Sequence, residues 1–593
     1  MNLNKMSPLL QLVLLFPEYI SVESFIAITK QNILEQEWLL IIQYYEDLEE
    51  LSHKIPFTYD VINERFAFIR INKELIAPLS NENAIFYIEL PRVMQYIAIE
   101  NASTVCATNS IYSPQSYGVS GEGVIVAILD SGIDYGHLDF RNADGTTRIL
   151  GIWDQNLEGT PPPGFSSGAY YTQEQINEAL AKPTLEERLA LVPSTDLLGH
   201  GTAVTGVAAG NGNGSGGQNS GIAPKSDILV VKMSEQFHED GSFTGPTNAD
   251  VMRGIAFAIA QAQYYEKPLS LMIGVGLNEG AHTGHSNLEI FINQMNIIWP
   301  CNMCVGTGNE ANKERHTSGK LMQGSVKEIQ IAIEPNQKFY SANLYKNYVD
   351  HMSFIVIAPN GEKTDILHDR INNVAYVFGN TSVLINISSS PFSARTQEMV
   401  ILLEGYGVES VDPGIWTIQV IGDNIIDGRY NVWATVTKQQ ERNNRFLEPD
   451  PFITLTIPST TSFITSVGSI NGRTDQILNT SGRGFTVDDR VKPDVVAPGL
   501  NITVPQAGSE NLYTTMSGSS IATAFMCGAY ALFIQYGLRV KPDSYLYGEA
   551  LKGLILRYAN KPMQFGTFPN PSYGYGILCI ASVLDELERI YGQ

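Results

Sequence analysis

Val124-Ile-Val-Ala-Ile-Leu-Asp130-Ser-Gly-Ile-Asp134 is the stretch on which the fold turns. Its first six residues are apolar and mostly β-branched. An unbroken run of that kind is a strand buried on both faces, the habit of a parallel sheet covered by helices on each side. The run ends in a carboxylate, and sheets of this class carry their chemistry at the carboxyl ends of strands. Working outward, Ile228–Met233, Ser270–Val275 and Cys301–Gly306 are further short apolar runs. His200–Ala209 and Asp250–Tyr265 have helical spacing between them. Buried strands alternating with helices predict an α/β unit over about 121–310, resuming after about 455.

Two other regions have a different texture. Over 320–450 the strand-like runs Glu328–Ile333, Ser353–Ala358, Val383–Ile387, Glu398–Leu403, Ile415–Ile421 and Tyr430–Val436 are separated by turn signals such as Pro359-Asn360-Gly361. That pattern predicts an antiparallel β-sandwich, jelly-roll-like, inserted into the α/β unit at a surface loop. Residues 1–100 predict a small α+β unit: strands at Trp38–Tyr44, Pro56–Asn63, Arg65–Asn72 and Ile85–Tyr96, with helical segments at Tyr45–Lys54 and Lys73–Ala84. The expected division is therefore 1–100, 101–319, 320–450 and 451–593.

Bulk properties exclude several classes. The 593 residues are 44% hydrophobic and 17% charged, with a formal net charge of −23. This is a profile that builds large cores and repels nucleic acid and anionic lipid, so neither is an expected partner. No stretch reaches the roughly 20 apolar residues of a membrane span. Leu9–Phe16 is apolar after Lys5 but lacks a small-residue cleavage site, so no clear signal peptide is read. A cytoplasmic location is favoured over secretion. The five cysteines, Cys106, Cys301, Cys304, Cys527 and Cys579, are odd in number and sparse, which argues against a disulfide scaffold. Cys301-x-x-Cys304 has no second pair to complete a zinc site and reads as part of a buried strand.

The chemistry sits in four motifs. Strand-Asp130-Ser-Gly delivers a carboxylate to a strand end. Leu-Gly-His200-Gly-Thr places a histidine at a helix start. Met516-Ser-Gly-Ser-Ser520-Ile-Ala-Thr-Ala feeds a serine into the first turn of a helix, where backbone N–H groups favour developing negative charge. Val305-Gly-Thr-Gly-Asn309 brings a side-chain amide to another strand end. Serine is a poor nucleophile at neutral pH and needs a base. His200 can take its proton, Asp130 can orient the imidazole, and Asn309 with the Ser520 N–H can hold an oxyanion. Each motif alone is common; all four, in the order Asp, His, Asn, Ser, are specific.

These residues resemble the subtilisin family of serine peptidases, over about 121–318 and 455–593 including the closing Tyr-Gly-Tyr-Gly-Ile-Leu. The resemblance implies a three-layer α/β catalytic unit and an endopeptidase that needs no cofactor. It makes residues 1–100 a propeptide that chaperones and inhibits, with self-cleavage near Gln95–Tyr96. It also implies that substrate adds as a strand between Gly274-Val275-Gly276 and Gly306-Thr307-Gly308. Two departures touch no triad member: Ala203 after His200-Gly-Thr, and Ala524 where the family commonly has proline. The layout is most similar to the Csp germination proteases of clostridial spores. That group includes activators of a cortex-lytic enzyme precursor and catalytically silent signalling members, so a silent scaffold remains the alternative.

Other groups are weighed against these. His137, in Gly-His137-Leu-Asp139, is a rival base without the helix start; His282, His285 and His316 read as loop residues rather than metal ligands. Calcium is common in the family. Asp139 matches a ligand position and Gly210–Gly221 offers carbonyls, but that loop carries no carboxylate, so calcium stays open and no metal residue is assigned. The same loop lacks the Lys-Ser/Thr end of a phosphate-binding loop. The inserted sandwich is read as a rigidifying element, with carbohydrate binding as the competing role.

Overall fold

A computed structural model describes residues 1–97, 117–238, 243–370, 372–388, 396–407, 410–435, 443–540 and 546–591. Cys106 and the expected boundary at 100/101 lie outside the described residues. The catalytic unit is built on eight strands: β1 (Ile125–Asp130), β2 (Ile149–Asp154), β3 (Ala169–Thr172), β4 (Asp227–Lys232), β5 (Leu269–Ile273), β6 (Cys301–Gly306), β7 (Thr465–Ile470) and β8 (Val495–Pro498). Their order is β8-β7-β6-β5-β1-β4-β2-β3. Every pair is parallel except the edge pair β2–β3.

The unbroken apolar run of β1 is explained by what covers it. Val126 and Ile128 join a core with helices α1 (His200–Ala209) and α4 (Ser519–Val540). Ile125, Ala127 and Leu129 point the other way, into a core with α2 (Asn248–Tyr264) and α3 (Asn287–Met295). Alternate residues of one strand thus feed two cores, and none can be polar without facing an apolar layer. Helix α4 is long and apolar enough to cross a membrane, but it is buried against the sheet.

The N-terminal domain has the predicted β-α-β-β-α-β arrangement. Its sheet is ordered Phe57–Val61, Phe66–Asn72, Glu37–Tyr44, Ile85–Glu89. The helices are Leu48–Lys54 and Ile76–Ser80, the second led in by a 3-10 turn at Lys73–Leu75. Two helices ahead of it, Pro8–Leu15 and Val22–Thr29, were not expected. The apolar segment Leu9–Phe16 is accounted for by burial: Leu10 and Leu12 are fully covered, in a core shared with Phe339, Leu384, Val400 and Leu402 of the insert.

The insert is two antiparallel sheets. One is ordered His316–Lys320, Arg429–Ala434, Phe339–Asn347, Thr396–Gly405, Thr381–Ser388, Asn372–Phe378. The other is ordered Leu367–His368, His351–Ile357, Gly414–Asn424, Val326–Ile333, Arg445–Phe446. Their inner faces meet in one apolar core that includes Ile331, Phe354, Trp416, Leu344, Ile385 and Ile401. All six predicted strands are present. The insert begins earlier than expected, because His316–Lys320 already pairs with Arg429–Ala434.

Candidate active site

β1 ends at Asp130, α1 begins at His200 and α4 begins one residue before Ser520, so the three groups meet where the parallel sheet opens. His200 Nδ1 is 2.6 Å from Asp130 Oδ1, and His200 Nε2 is 2.7 Å from Ser520 Oγ. Exposure is 0% for Asp130, 3% for His200 and 1% for Ser520, so these contacts are made out of water. The Ser131 N–H also donates to Asp130 Oδ1 at 2.7 Å, which fixes the carboxylate's orientation. Burial pushes the His200 pKa down, but the charge of Asp130, its hydrogen bond and the charge of Asp196 outweigh that and leave it above the ordinary histidine value. A histidine so placed accepts the serine proton readily.

Small residues let these elements close up. A Cβ at Gly274 would collide with Asp130 Oδ2, and one at Gly201 with the Gly132 carbonyl. Ser131 Oγ donates to Asp196 Oδ1 at 2.7 Å and accepts from the Gly201 N–H at 2.9 Å, tying the start of α1 to the end of β1.

Asn309 follows β6. Its Oδ1 accepts the Ser519 N–H at 3.2 Å, which fixes the amide so that Nδ2 points elsewhere; that Nδ2 is buried and has no partner. A buried donor left unpaired is costly unless a ligand atom arrives. Nearby, the carbonyl of Ile97 accepts the Ser520 N–H at 3.4 Å, the other donor of an oxyanion site, while Asn309 Nδ2 has no partner among the described residues.

Ile97 ends the N-terminal domain's tail, which lies along the cleft as a strand. Gln95 and Tyr96 pair antiparallel with Gly276 and Val275, and the Ile97 N–H donates to the Gly274 carbonyl at 3.0 Å. On its other side the Met94 N–H donates to the Pro246 carbonyl at 2.6 Å, and Val93 bridges Thr247. The first expected edge, Gly274–Gly276, is therefore in place, but the second is Pro246–Thr247 and not Gly306–Gly308. The reason is that the backbone of 306–308 is already used. Thr307 N–H donates to Val467, while the carbonyls of Thr307 and Gly308 accept from Thr456 and Gly482. Gly308 instead sits over Thr456, and Gly276 lies against both Thr456 and the Ile97 side chain, so these glycines leave room beside that side chain. Of the described tail residues it is Ile97, just past the expected Gln95–Tyr96, whose carbonyl meets the Ser520 N–H.

The rival groups are placed elsewhere. His137 Nδ1 accepts the Asp139 N–H at 3.2 Å and Nε2 lies 3.1 Å from the Leu512 carbonyl. His282 stacks on Trp433 with centroids 4.0 Å apart, and its burial lowers its pKa to about 4; His316 stacks on the same indole at 4.8 Å. His285 lines a cavity between the three units. Cys301 and Cys304 are buried in β6. No group of three or more His, Cys, Asp or Glu suited to a metal occurs among the described residues. At Asp139, the family's calcium-ligand position, Oδ1 is met by two donors, the Gly214 N–H at 2.9 Å and the Tyr513 hydroxyl at 2.7 Å, while Oδ2 is buried with no partner among the described residues.

Comparison with known proteins agrees with this geometry. The subtilase family (peptidase family S8) matches residues 121–269 and 429–576, and the Csp protease B prodomain matches residues 4–92. The structure of the Clostridium perfringens CspB protease is similar at 32% identity and a TM-score of 0.72, covering 79% of this chain and 96% of that one. The PII-type proteinase of Lactococcus lactis subsp. cremoris is 23% identical over 85% of this chain, which spans only 28% of that proteinase. The minor extracellular protease Vpr of Bacillus subtilis (strain 168) is 23% identical over 70% of this chain and 46% of its own length. A triad-like cluster at the mouth of a parallel sheet, a matching catalytic profile and a matching prodomain lead to one conclusion: this chain belongs to the subtilase family of serine endopeptidases, in its Csp branch.

Proposed function

We propose that the chain cuts peptide bonds through an acyl-enzyme on Ser520, with His200 as base and then acid, Asp130 as its orienting carboxylate and Asn309 as an oxyanion donor. Its first substrate is its own N-terminal domain, cut after Ile97, which then stays in place as an inhibitor. The observation that carries this is the Ile97 carbonyl on the Ser520 N–H, with Ser520 Oγ on His200. A carbonyl on the Ser520 N–H and a nucleophile on its base are two of the conditions that attack on that carbonyl requires. The later substrate is another protein, and the likeness to CspB supports the precursor of a spore cortex-lytic enzyme and a location in the spore. The filled cleft favours one second reading, a silent signalling scaffold.

Wild type and Ser520→Ala, compared on a denaturing gel with a fluorophosphonate label, separate these. Wild type splits the 65.2 kDa chain in proportion to length, into about 11 and 54 kDa, and labels on the larger piece. Ser520→Ala does neither, a loss of about 10⁶ in kcat. A folded wild type that stays whole leaves only the scaffold reading.

A further inference from the structure

Beside the triad, a second acidic group touches the tail, and the proposed mechanism gives it no work. Glu235 follows β4 and is 6% exposed. The Asn156 side chain anchors its backbone N–H at 2.8 Å. Among the described residues its Oε1 has no hydrogen bond; Lys232 Nζ stands 3.6 Å away and already donates to the Thr195 carbonyl at 2.6 Å. Its Oε2 accepts one side-chain hydrogen bond, from the Tyr96 hydroxyl at 3.3 Å. A recessed carboxylate with so little to compensate its burial is expensive to keep. Its one bonded partner is a side chain of the segment to be cut.

The rest of the pocket fits a phenol. The Tyr96 ring lies 5.9 Å from the His200 ring and 6.0 Å from that of Phe243, centroid to centroid, so an aromatic ring fills the space between them. Resting on the reading that the bond after Ile97 is the one cut, we infer that Glu235 is a specificity-determining residue that selects tyrosine as the second residue before the cut. Phenylalanine keeps the ring contacts but leaves both carboxylate oxygens unpaired. Aspartate or glutamate sets a second negative charge against Glu235, Asp130 and Asp196. A site built to bond a hydroxyl rejects analogues without it more sharply than an apolar pocket distinguishes shapes. The partner protein cut by this enzyme is thereby expected to present Tyr at that position.

The groups facing Glu235 are Lys232 on its own segment, Asp130 and Asp196 across the cleft, Lys30 of the N-terminal domain and the Tyr96 phenol. Burial, partly relieved by Lys232, raises the Glu235 pKa to about 7. Its ionised form, the stronger acceptor, therefore grows between pH 6 and pH 8.

The test follows self-cleavage of the full chain made by cell-free translation, with the fragment end fixed by mass spectrometry and folding checked by thermal unfolding of Ser520→Ala versions of each variant. At pH 8 Tyr96→Phe and Glu235→Gln each slow the cut after Ile97 about tenfold, as expected for a lost hydrogen bond to a charged group. The double variant is no slower than either single one, and Tyr96→Asp is slowest. The wild-type to Tyr96→Phe rate ratio falls toward one at pH 6, and on a Glu235→Gln background it stays near one at both values; a folding defect would not follow that pattern, and His200 titration cancels in the ratio. If wild type is cut while Tyr96→Phe and Glu235→Gln keep pace at both pH values, the inference is overturned and the protease stands. If wild type is not cut after Ile97, both fall.

Discussion

The N-terminal domain is held at two places, and they are held differently. Against the catalytic unit the grip is mixed: Ile41, Phe66 and Phe68 pack into a core with Val251, Ile255, Leu288 and Phe291, and polar and main-chain contacts join them. The tail pairs with Val275–Gly276 and Pro246, and Glu89 accepts from the side-chain amides of Asn248 and Asn287 at the starts of α2 and α3. Against the sandwich the grip is apolar. Helix Pro8–Leu15 lays Leu9, Leu10, Leu12 and Val13 into a core with Phe339, Leu384, Val400 and Leu402, and Ser24 donates to the buried Glu404 at 2.8 Å. The first surface includes the tail that the proposed cut would sever; the second lies away from it. A cut after Ile97 would remove no contact on the sandwich side and would leave the patch under Phe66 and Phe68 in place, so the cut domain would be retained by hydrophobic area on both sides, with the sandwich side untouched.

Three measurements would sharpen or break that contrast. The largest effect belongs to the cleft: Asn309→Ala removes one oxyanion donor and slows self-cleavage about 10²–10³-fold. It leaves retention of the domain unchanged, read by whether the two fragments co-elute in gel filtration. The sandwich side comes next. Leu384→Ala opens a cavity in the shared core at a cost of about 2 kcal/mol or more, so the cut N-terminal fragment dissociates at least ten times faster while the cleavage rate holds. If cleavage slows and dissociation does not, the division of labour is wrong. The smallest effect is a pH dependence. Burial beside Ser21 and Ser24 raises the Glu404 pKa to about 8, so the complex favours its neutral form. The stability it contributes is complete below its unfolded value near 4.3 and is lost as pH rises through about 8, at up to about 1.4 kcal/mol per pH unit. Fragment retention should weaken from pH 6 to pH 8, and Glu404→Gln should flatten the change.

The legible and illegible parts of the sequence divide along similar lines. Asp130, His200, Asn309 and Ser520 could be read because each stands at a strand or helix end announced by its own apolar run or glycine turn. The four strands of the N-terminal domain and six of the sandwich were readable as short, mostly apolar runs set off by turns. Strand Phe339–Asn347 escaped because polar Ser341, Asn343 and Lys346 are buried within it and break the apolar run. Helix Pro8–Leu15 escaped for the opposite reason: its apolar face is nearly the whole helix, and only the sandwich, more than 300 residues away, explains it. The second cleft edge at Pro246–Thr247 was beyond local reading too, since whether a backbone is free to pair depends on which partners the sheet has already given it. Glu235 carried a faint signal, an acid three residues past the end of a buried strand.

The placement of the insert has a consequence in time. Ribosomes deliver chain at about 5–20 residues per second, so the segment ending at Ile97 emerges tens of seconds before Ser520 does. The sandwich, strung between Asn309 and β7, lengthens that interval and puts the surface that grips Pro8–Leu15 into the chain before the nucleophile. Under the proposed cut, the surface that receives Pro8–Leu15 is made before the nucleophile that would sever the domain. Order of synthesis thus works as a safety catch, and moving the sandwich behind Ser520 by circular permutation would remove it.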